Sequence, residues 1–320
     1  MYKAIALYSG GLDSLLSIII VRKQSIEVLA LKFITGFNSP LKEQDIVVAK
    51  RFGFEIEEID IREKFIEVLK RPKFGYGKNL NPCIDCKILM LKETKKIMLK
   101  HNASFIITGE VLGQRPMSQR REIFELMQKE TELEDLILRP LSAKLLPLTK
   151  PEKEGVVDRT QLFAIWGRTR KPQMAIAKEF GLKEIPQPAG GCLLTDPTFC
   201  KRVKDLIEHN ELNLQNVELL RLGRHFRISE RCKAIVGRNK EENEVIIKIF
   251  KGLTLYPADF KGPVVAVVGQ YTEKDIDYAS KICVYYCKKD MAEIVIKENS
   301  TEYKKIYSAL SMQEIIKYRL

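Results

Sequence analysis

Tyr8-Ser9-Gly10-Gly11-Leu12-Asp13-Ser14 joins two unlike segments of the chain. Before it, Ala4-Ile5-Ala6-Leu7 is a short apolar run with strand character. After it, Leu15-Leu16-Ser17-Ile18-Ile19-Ile20-Val21 is apolar enough for a buried helix. Two glycines at the join let the backbone turn sharply and approach a ligand closely. Ser9, Ser14 and the free N–H groups of the helix start suit a phosphate. Asp13 has no place in a plain anion cradle. A carboxylate there points to a metal ion on the phosphates or to orientation of a reacting group. An ordinary glycine-rich turn with a capping serine is the plainer alternative. The coincidence of strand, Ser-Gly-Gly, Asp-Ser and helix argues against it.

Downstream, residues 27–33 read as a second strand, 43–52 as a helix, and Glu55 to Ile61 as a third strand. Strands alternating with helices predict an α/β fold with a doubly wound parallel sheet. Ligands of such sheets sit at the carboxyl ends of the strands, which puts Ser9–Ser14 and the Phe33–Phe37 turn on one rim. Phe33 is a candidate to flank an adenine and equally a candidate for core.

Asn81-Pro82-Cys83-Ile84-Asp85-Cys86-Lys87 precedes an apolar-periodic helix over about 88–99. Two thiols three residues apart at a helix start lie close together, where the local positive field favours thiolate. Half a zinc site, a redox pair, part of an iron–sulfur site and two small buried residues are all open at this point. Residues 104–109 form a further strand ending in Gly109. The polar loop after it carries Gln114, Arg115, Arg120 and Arg121, the arginines being placed to meet phosphates or merely solvent. Residues 162–182, rich in Arg and Lys, read as helical up to Gly181.

A chain of 320 residues suggests two domains, here 1–199 and 200–320. Hydrophobic content of 45% and charged content of 30% describe a globular protein, and no run approaches a membrane span. The start lacks a signal-peptide pattern, so a cytoplasmic location is expected. Seven cysteines then point to metal or thiol chemistry before a disulfide framework. The net charge of +12 is spread, with 32 basic and 25 acidic residues in 1–199 and 22 and 17 in 200–320. A polyanion partner such as RNA fits this balance, as does a merely lysine-rich surface.

Ser9-Gly10-Gly11-Leu12-Asp13-Ser14 resembles the PP-loop of the adenine nucleotide alpha hydrolase superfamily. That resemblance implies ATP, with Mg²⁺, bound at Ser9, Gly10, Gly11, Asp13 and Ser14, and cleavage between the α and β phosphates through an adenylated intermediate. Thr108-Gly109-Glu110-x-Leu112-Gly113-Gln114 with Ser118-Gln119 is similar to a segment of 4-thiouridine synthetases, which implies nucleotide and tRNA-end handling around Gly109 and Gln114. Asn81-Pro-Cys-x-x-Cys resembles the first cysteine motif of tRNA 2-thiouridylases, and Ala189-Gly190-Gly191-Cys192 the second. Cys83, Cys86 and Cys192 are then expected at one site. Either they ligate a [4Fe–4S] cluster with one open iron, or one carries a persulfide that another resolves. The cluster is the preferred expectation, because three cysteines exceed what a relay requires.

After Pro197, a short helix over 200–210 is expected, followed by alternating apolar and basic residues up to Ile228. A strand, Gly237-Arg238-Asn239 and a helix are similar to the RNA-binding domain of the NFACT family, without the Trp-Phe-His segment common there. Arg221, Arg224, Arg227, Arg231 and Arg238 are candidates for a phosphate-tracking face.

The resemblances imply an ATP-dependent tRNA sulfurtransferase with catalytic Asp13, Cys83 and Cys192. Its partners are tRNA and a sulfide or persulfide donor, without a membrane; a homodimer is among the open assembly states. No rhodanese-like region is recognised, and the chain begins directly with the PP-loop domain, so the target uridine stays open. Adenylation of a small molecule and non-catalytic RNA binding are the competing expectations.

Overall fold

The computed structural model describes residues 2–182 and 191–320. Ala189 and Gly190, expected as an open approach to Cys192, lie outside the described residues. Two compact units form, Met1–Thr195 and Asp196–Leu320.

The first unit runs β1 (Lys3–Leu7), α1 (Leu12–Arg22), β2 (Glu27–Ile34), α2 (Glu43–Phe52), β3 (Glu55–Asp60), α3 (Arg62–Lys70), α4 (Cys83–Lys100), β4 (Phe105–Thr108), α5 (Arg121–Thr131), β5 (Ile137–Leu138), α6 (Lys150–Lys153) and α7 (Lys171–Glu179). Its five strands pair in parallel in the order β3-β2-β1-β4-β5. Alternation along β1 separates two cores. Ala4 and Ala6 pack with α1 and α7, whereas Ile5 and Leu7 pack with α4 and α5. Strand order reverses between β1 and β4, so the loops leaving these two strands flank the crevice where such sheets bind ligands. This is the doubly wound parallel sheet expected from the strand–helix alternation.

Two local expectations are corrected here. The helix holding the Cys-x-x-Cys pair begins at Cys83 itself, so both thiols lie in its first turn. The helix expected over 162–182 spans only Lys171–Glu179. Gly167 adopts a φ of +87°, which ends any earlier helix, and Pro172 enters in the first turn, where its missing N–H costs nothing.

The second unit runs α8 (Pro197–Glu208), α9 (Leu214–Leu219), β6 (Arg224–Ser229), β7 (Cys232–Val236), α10 (Lys240–Ile249), β8 (Thr254–Pro257), β9 (Val265–Gly269), α11 (Glu273–Tyr286), β10 (Met291–Glu298), β11 (Thr301–Ser308) and α12 (Met312–Tyr318). Its strands form an antiparallel sheet in the order β11-β10-β8-β9-β7-β6. One face is buried under α11 and α12, the other under α9 and α10. It is thus the smaller α+β unit expected. The Asp196 carboxylate accepts from the Phe199 N–H at 2.7 Å and fixes the start of α8. Alternation over 217–228 breaks at Gly223, whose φ of +63° turns the chain out of α9 and into β6. No helix among the described residues is long and apolar enough to cross a membrane.

Candidate functional site

Ser9–Ser14 form the turn from β1 into α1. Gly10 takes a φ of +79°, and a Cβ there would meet Lys32 Nζ at 3.0 Å. The Ser14 hydroxyl donates to the Gly11 carbonyl at 2.8 Å and lies 3.1 Å from the Ser9 hydroxyl. Gly109, at the end of β4, packs flat on this turn: a Cβ would lie 2.4 Å from Ser14 N. The glycine is required there by contact, since no side chain fits.

Asp13 is held at this junction. Gln114 Nε2 donates to Asp13 Oδ2 at 3.0 Å, while Asp13 Oδ1 is buried with no hydrogen-bond partner among the described residues. Fully buried Gln173, from α7, lies beside the same carboxylate without hydrogen-bond geometry to it. Burial raises the Asp13 pKa, against the lowering influence of Gln114, Arg170, Gln173 and Arg115. A buried carboxylate oxygen with no donor, beside a phosphate-type turn, fits a divalent cation carried in with a nucleotide.

The cavity around this turn is about 570 Å³, within the range of small-ligand sites. Phe33, 4% exposed, lines it together with Gly109, Gln114, Arg115 and Cys192. Sequence reasoning missed several of its cations. Lys32, 3% exposed, points from β2 beneath Gly10 and lies 3.6 Å from Asp45 Oδ2. Asp45 also accepts from the Tyr8 hydroxyl at 2.7 Å and from the Lys42 N–H at 2.9 Å. Burial, then the Asp45 bond, pushes the Tyr8 phenol well up, so it stays a donor. A lysine inside the apolar run Leu29-Ala30-Leu31-Lys32-Phe33 was the available signal, since such a group is not buried without a task or a partner.

Lys87 enters from α4, 4.0 Å from Glu110 Oε1. Glu110 is buried, which works against its ionisation. Lys87, Arg139 (3.1 Å) and the Thr108 hydroxyl (3.0 Å) outweigh that and hold its carboxyl below the usual range. Lys87 thus links the helix that carries the cysteines to the cavity beside the Ser9–Ser14 turn.

The cysteines come together from distant sequence. Leu193 N–H donates to the Phe37 carbonyl at 2.9 Å, and Asn79 Nδ2 donates to the Thr195 carbonyl at 2.8 Å, docking the segment that carries Cys192. Asn81 Nδ2 lies 3.2 Å from Cys83 Sγ. The first-turn position does not leave Cys86 a thiolate. Burial, then the proximity of Cys192 and Cys83, pushes it up to about 12, which corrects the expectation from the helix field. Three crowded thiols are in kind the donor set of an iron–sulfur group. Among the described residues, however, no group of three or more His, Cys, Asp or Glu is placed to hold a metal ion. As placed, the three thiols are electrostatic neighbours and not a formed ligand set.

The proposed arginines divide. Arg115 lines the cavity and Arg120 is exposed at the start of α5. Arg121 turns away and donates to the Leu145 carbonyl at 2.7 Å. In the second unit, Arg224 stacks on Tyr286 at 4.6 Å, Arg221 and Arg238 are exposed, and Arg238 pairs with Glu242. Arg227 does not join a phosphate-tracking face. Four of its N–H groups are bonded to Asp205 and Glu211, the shortest at 2.7 Å and 2.8 Å, so its charge is already matched within the unit.

A parallel α/β unit with a phosphate-type turn at its switch point, followed by an antiparallel-sheet unit, is the class that these observations define. Residues 1–144 match the family model described as thiamine biosynthesis protein (ThiI), and residues 223–319 match that of the NFACT protein RNA binding domain. The resemblance read from the PP-loop and from the Gly-Arg-Asn segment is thereby found at both ends of the chain. Over 159 residues the chain is 28% identical to a probable tRNA sulfurtransferase of Thermococcus kodakarensis, covering 49% of this chain and 39% of that protein. The chain thus matches about two-fifths of the length of this curated relative. Among solved structures, it is similar to a 4-thiouridine synthetase–RNA complex with bound ATP (20% identity, 68% of this chain, 52% of that one, TM-score 0.40). It is also similar to the U34-tRNA thiolase NcsA from Methanococcus maripaludis with its [4Fe–4S] cluster (16%, 69%, 70%, TM-score 0.33). Values this low bear on neither chemistry nor substrate.

Proposed function

We propose that this protein is an ATP-dependent tRNA sulfurtransferase. The observation that carries this reading is the meeting of Asp13 and Cys192 in one cavity, with an unpaired buried oxygen on Asp13. Ser9, Ser14, the backbone N–H groups of the turn and Lys32 hold the ATP phosphates, and Asp13 Oδ1 would hold Mg²⁺, which would neutralise charge on those phosphates. A uridine carbonyl oxygen attacks the α-phosphorus, and the bond to the bridging oxygen breaks, so pyrophosphate leaves. Sulfur held at the cysteine site then adds to the activated ring carbon, and AMP departs with the former carbonyl oxygen. Adenylation supplies the drive, because that oxygen is a poor leaving group until it is phosphorylated. Arg115 and the second unit bind the RNA.

Cys83, Cys86 and Cys192 are the sulfur-handling thiols. Their donor chemistry supports a [4Fe–4S] cluster, which when bound supplies an iron open to sulfide. Two measurements test the whole. Pyrophosphate release by the full chain is expected to depend on tRNA, and mass analysis of the treated tRNA is expected to show a thiouridine. Release that ignores tRNA and follows a small acceptor instead would transfer the site to another adenylating synthetase. For the thiols, anaerobic reconstitution is expected to give about four irons per chain and broad absorption near ~400 nm. Cys83→Ala, Cys86→Ala and Cys192→Ala each lose iron while keeping ATP binding, and Cys200→Ala keeps both. Thiolation by iron-free protein given a persulfide donor would reject the cluster in favour of a relay.

A further inference from the structure

We infer that the second unit carries a binding groove for single-stranded RNA, which shares Arg224 and Arg238 with the arginine series and rests on the tRNA reading above. The groove lies between α10, β8, the loop 258–263 and the end of α11, and measures about 1250 Å³. Seven lysines and arginines line it, of which Arg238, Lys240 and Lys297 pair with Glu242, Glu244 and Glu302. Lys251, Lys261 and Lys288 are exposed and form no ion pair among the described residues, so their charge is available to an anion. Electrostatics alone would accept any polyanion.

Aromatic residues narrow the choice. Phe260, 37% exposed, stands in the groove wall together with Tyr256 and Tyr286. The wall is fixed: Asn243 Oδ1 accepts from the Val264 N–H at 3.0 Å, and its amide donates to the Gly262 carbonyl at 3.1 Å. A rigid concave surface with lysines around the exposed Phe260 ring suits a splayed base that stacks there while phosphates track the lysines. An RNA duplex keeps its bases inside and offers only a convex backbone, so it cannot use the rings.

The test is fluorescence anisotropy of the full chain with a single-stranded RNA 10-mer, a 16-base-pair RNA duplex and a tRNA transcript, each over a salt series. Phe260→Ala is expected to weaken the 10-mer by roughly 5- to 150-fold, as loss of one stacked base implies, and to leave the duplex unchanged. Lys251→Gln with Lys261→Gln is expected to flatten the salt slope for the 10-mer by about 1.4. These lysines are exposed, so the pair reports on the groove even if Phe260→Ala lowers thermal stability. Unchanged 10-mer binding by both variants, with tRNA still bound, overturns the groove and spares the tRNA reading. Equal loss for duplex and 10-mer, or equal binding of poly-glutamate, also overturns it. Failure of the unaltered chain to bind any RNA removes the reading on which it rests.

Discussion

Asp13 is a carboxylate placed among groups that otherwise favour anions. Gln114 occupies one of its oxygens, and the other is buried without a hydrogen-bond partner among the described residues. A buried acceptor in that state costs about 1–3 kcal/mol, which a cation arriving with a nucleotide offsets. Asp13→Ala is expected to lower pyrophosphate release by at least about a hundredfold, the scale of one charge-stabilising group, while RNA affinity is retained. Near-normal adenylation by this variant would remove the nucleotide half of the proposal. Asp13 and the serines were legible beforehand because their task is set by neighbours along the chain. Lys32 was overlooked because its partner Asp45 is thirteen residues away and one helix further on.

At the level of elements, two joints decide whether the parts meet. Gly109 lets the end of β4 lie on the start of α1, and the 2.4 Å approach forbids any Cβ. Gly109→Ala is expected to push the turn open and abolish ATP binding by calorimetry, while circular dichroism stays close to that of the parent. The second joint ties α8 to β6 and β7. Asp205, 5% exposed, accepts from Lys233 at 2.9 Å and from Arg227 at 2.7 Å. Asp205→Ala leaves buried Lys233 without a counterion and is expected to cost about 3–5 kcal/mol in urea denaturation.

Burial opposes ionisation of Asp205, but Arg227 and Lys233 outweigh it and lower its pKa. Below about 3.9, the unfolded value, the unfolded chain therefore takes up a proton that the folded chain refuses. Burial, with Lys233 and Arg202, holds the His225 pKa well below its usual range, so the same uptake begins there below about 6.5. Both groups make stability fall as pH drops, first through about 6.5 and then through about 3.9. Denaturation midpoints that rise toward acid would contradict this account.

For the molecule as a whole, two units divide the labour of the proposed reaction. The first has its own cores on both sheet faces and holds the cavity beside the Ser9–Ser14 turn. The second holds an excess of basic over acidic residues and a groove lined by seven lysines and arginines. A chain ending at Thr195, folded by circular dichroism, is expected to keep ATP binding. It should bind tRNA more weakly than the full chain, with a shallower salt slope. Equal tRNA affinity at every salt concentration would assign the second unit another task.

Much of this was readable along the chain: the strand–turn–helix of residues 3–22, the alternation that gives a parallel sheet, and the strand, Gly-Arg-Asn and helix of 232–249. These features rest on interactions within about a dozen residues, where periodicity and turn chemistry dominate. Position in space was not readable in this way. Folding alone places Cys192 near Cys86 and joins it to the Phe33–Phe37 turn, through bonds made across more than a hundred residues. Arg227 shows the same limit. Alternation marked it as an outward basic residue, but two acids from elsewhere in the chain claim its guanidinium. Local pattern fixes backbone conformation; which charges meet depends on loop closure and packing, and those are settled only when the chain is compact.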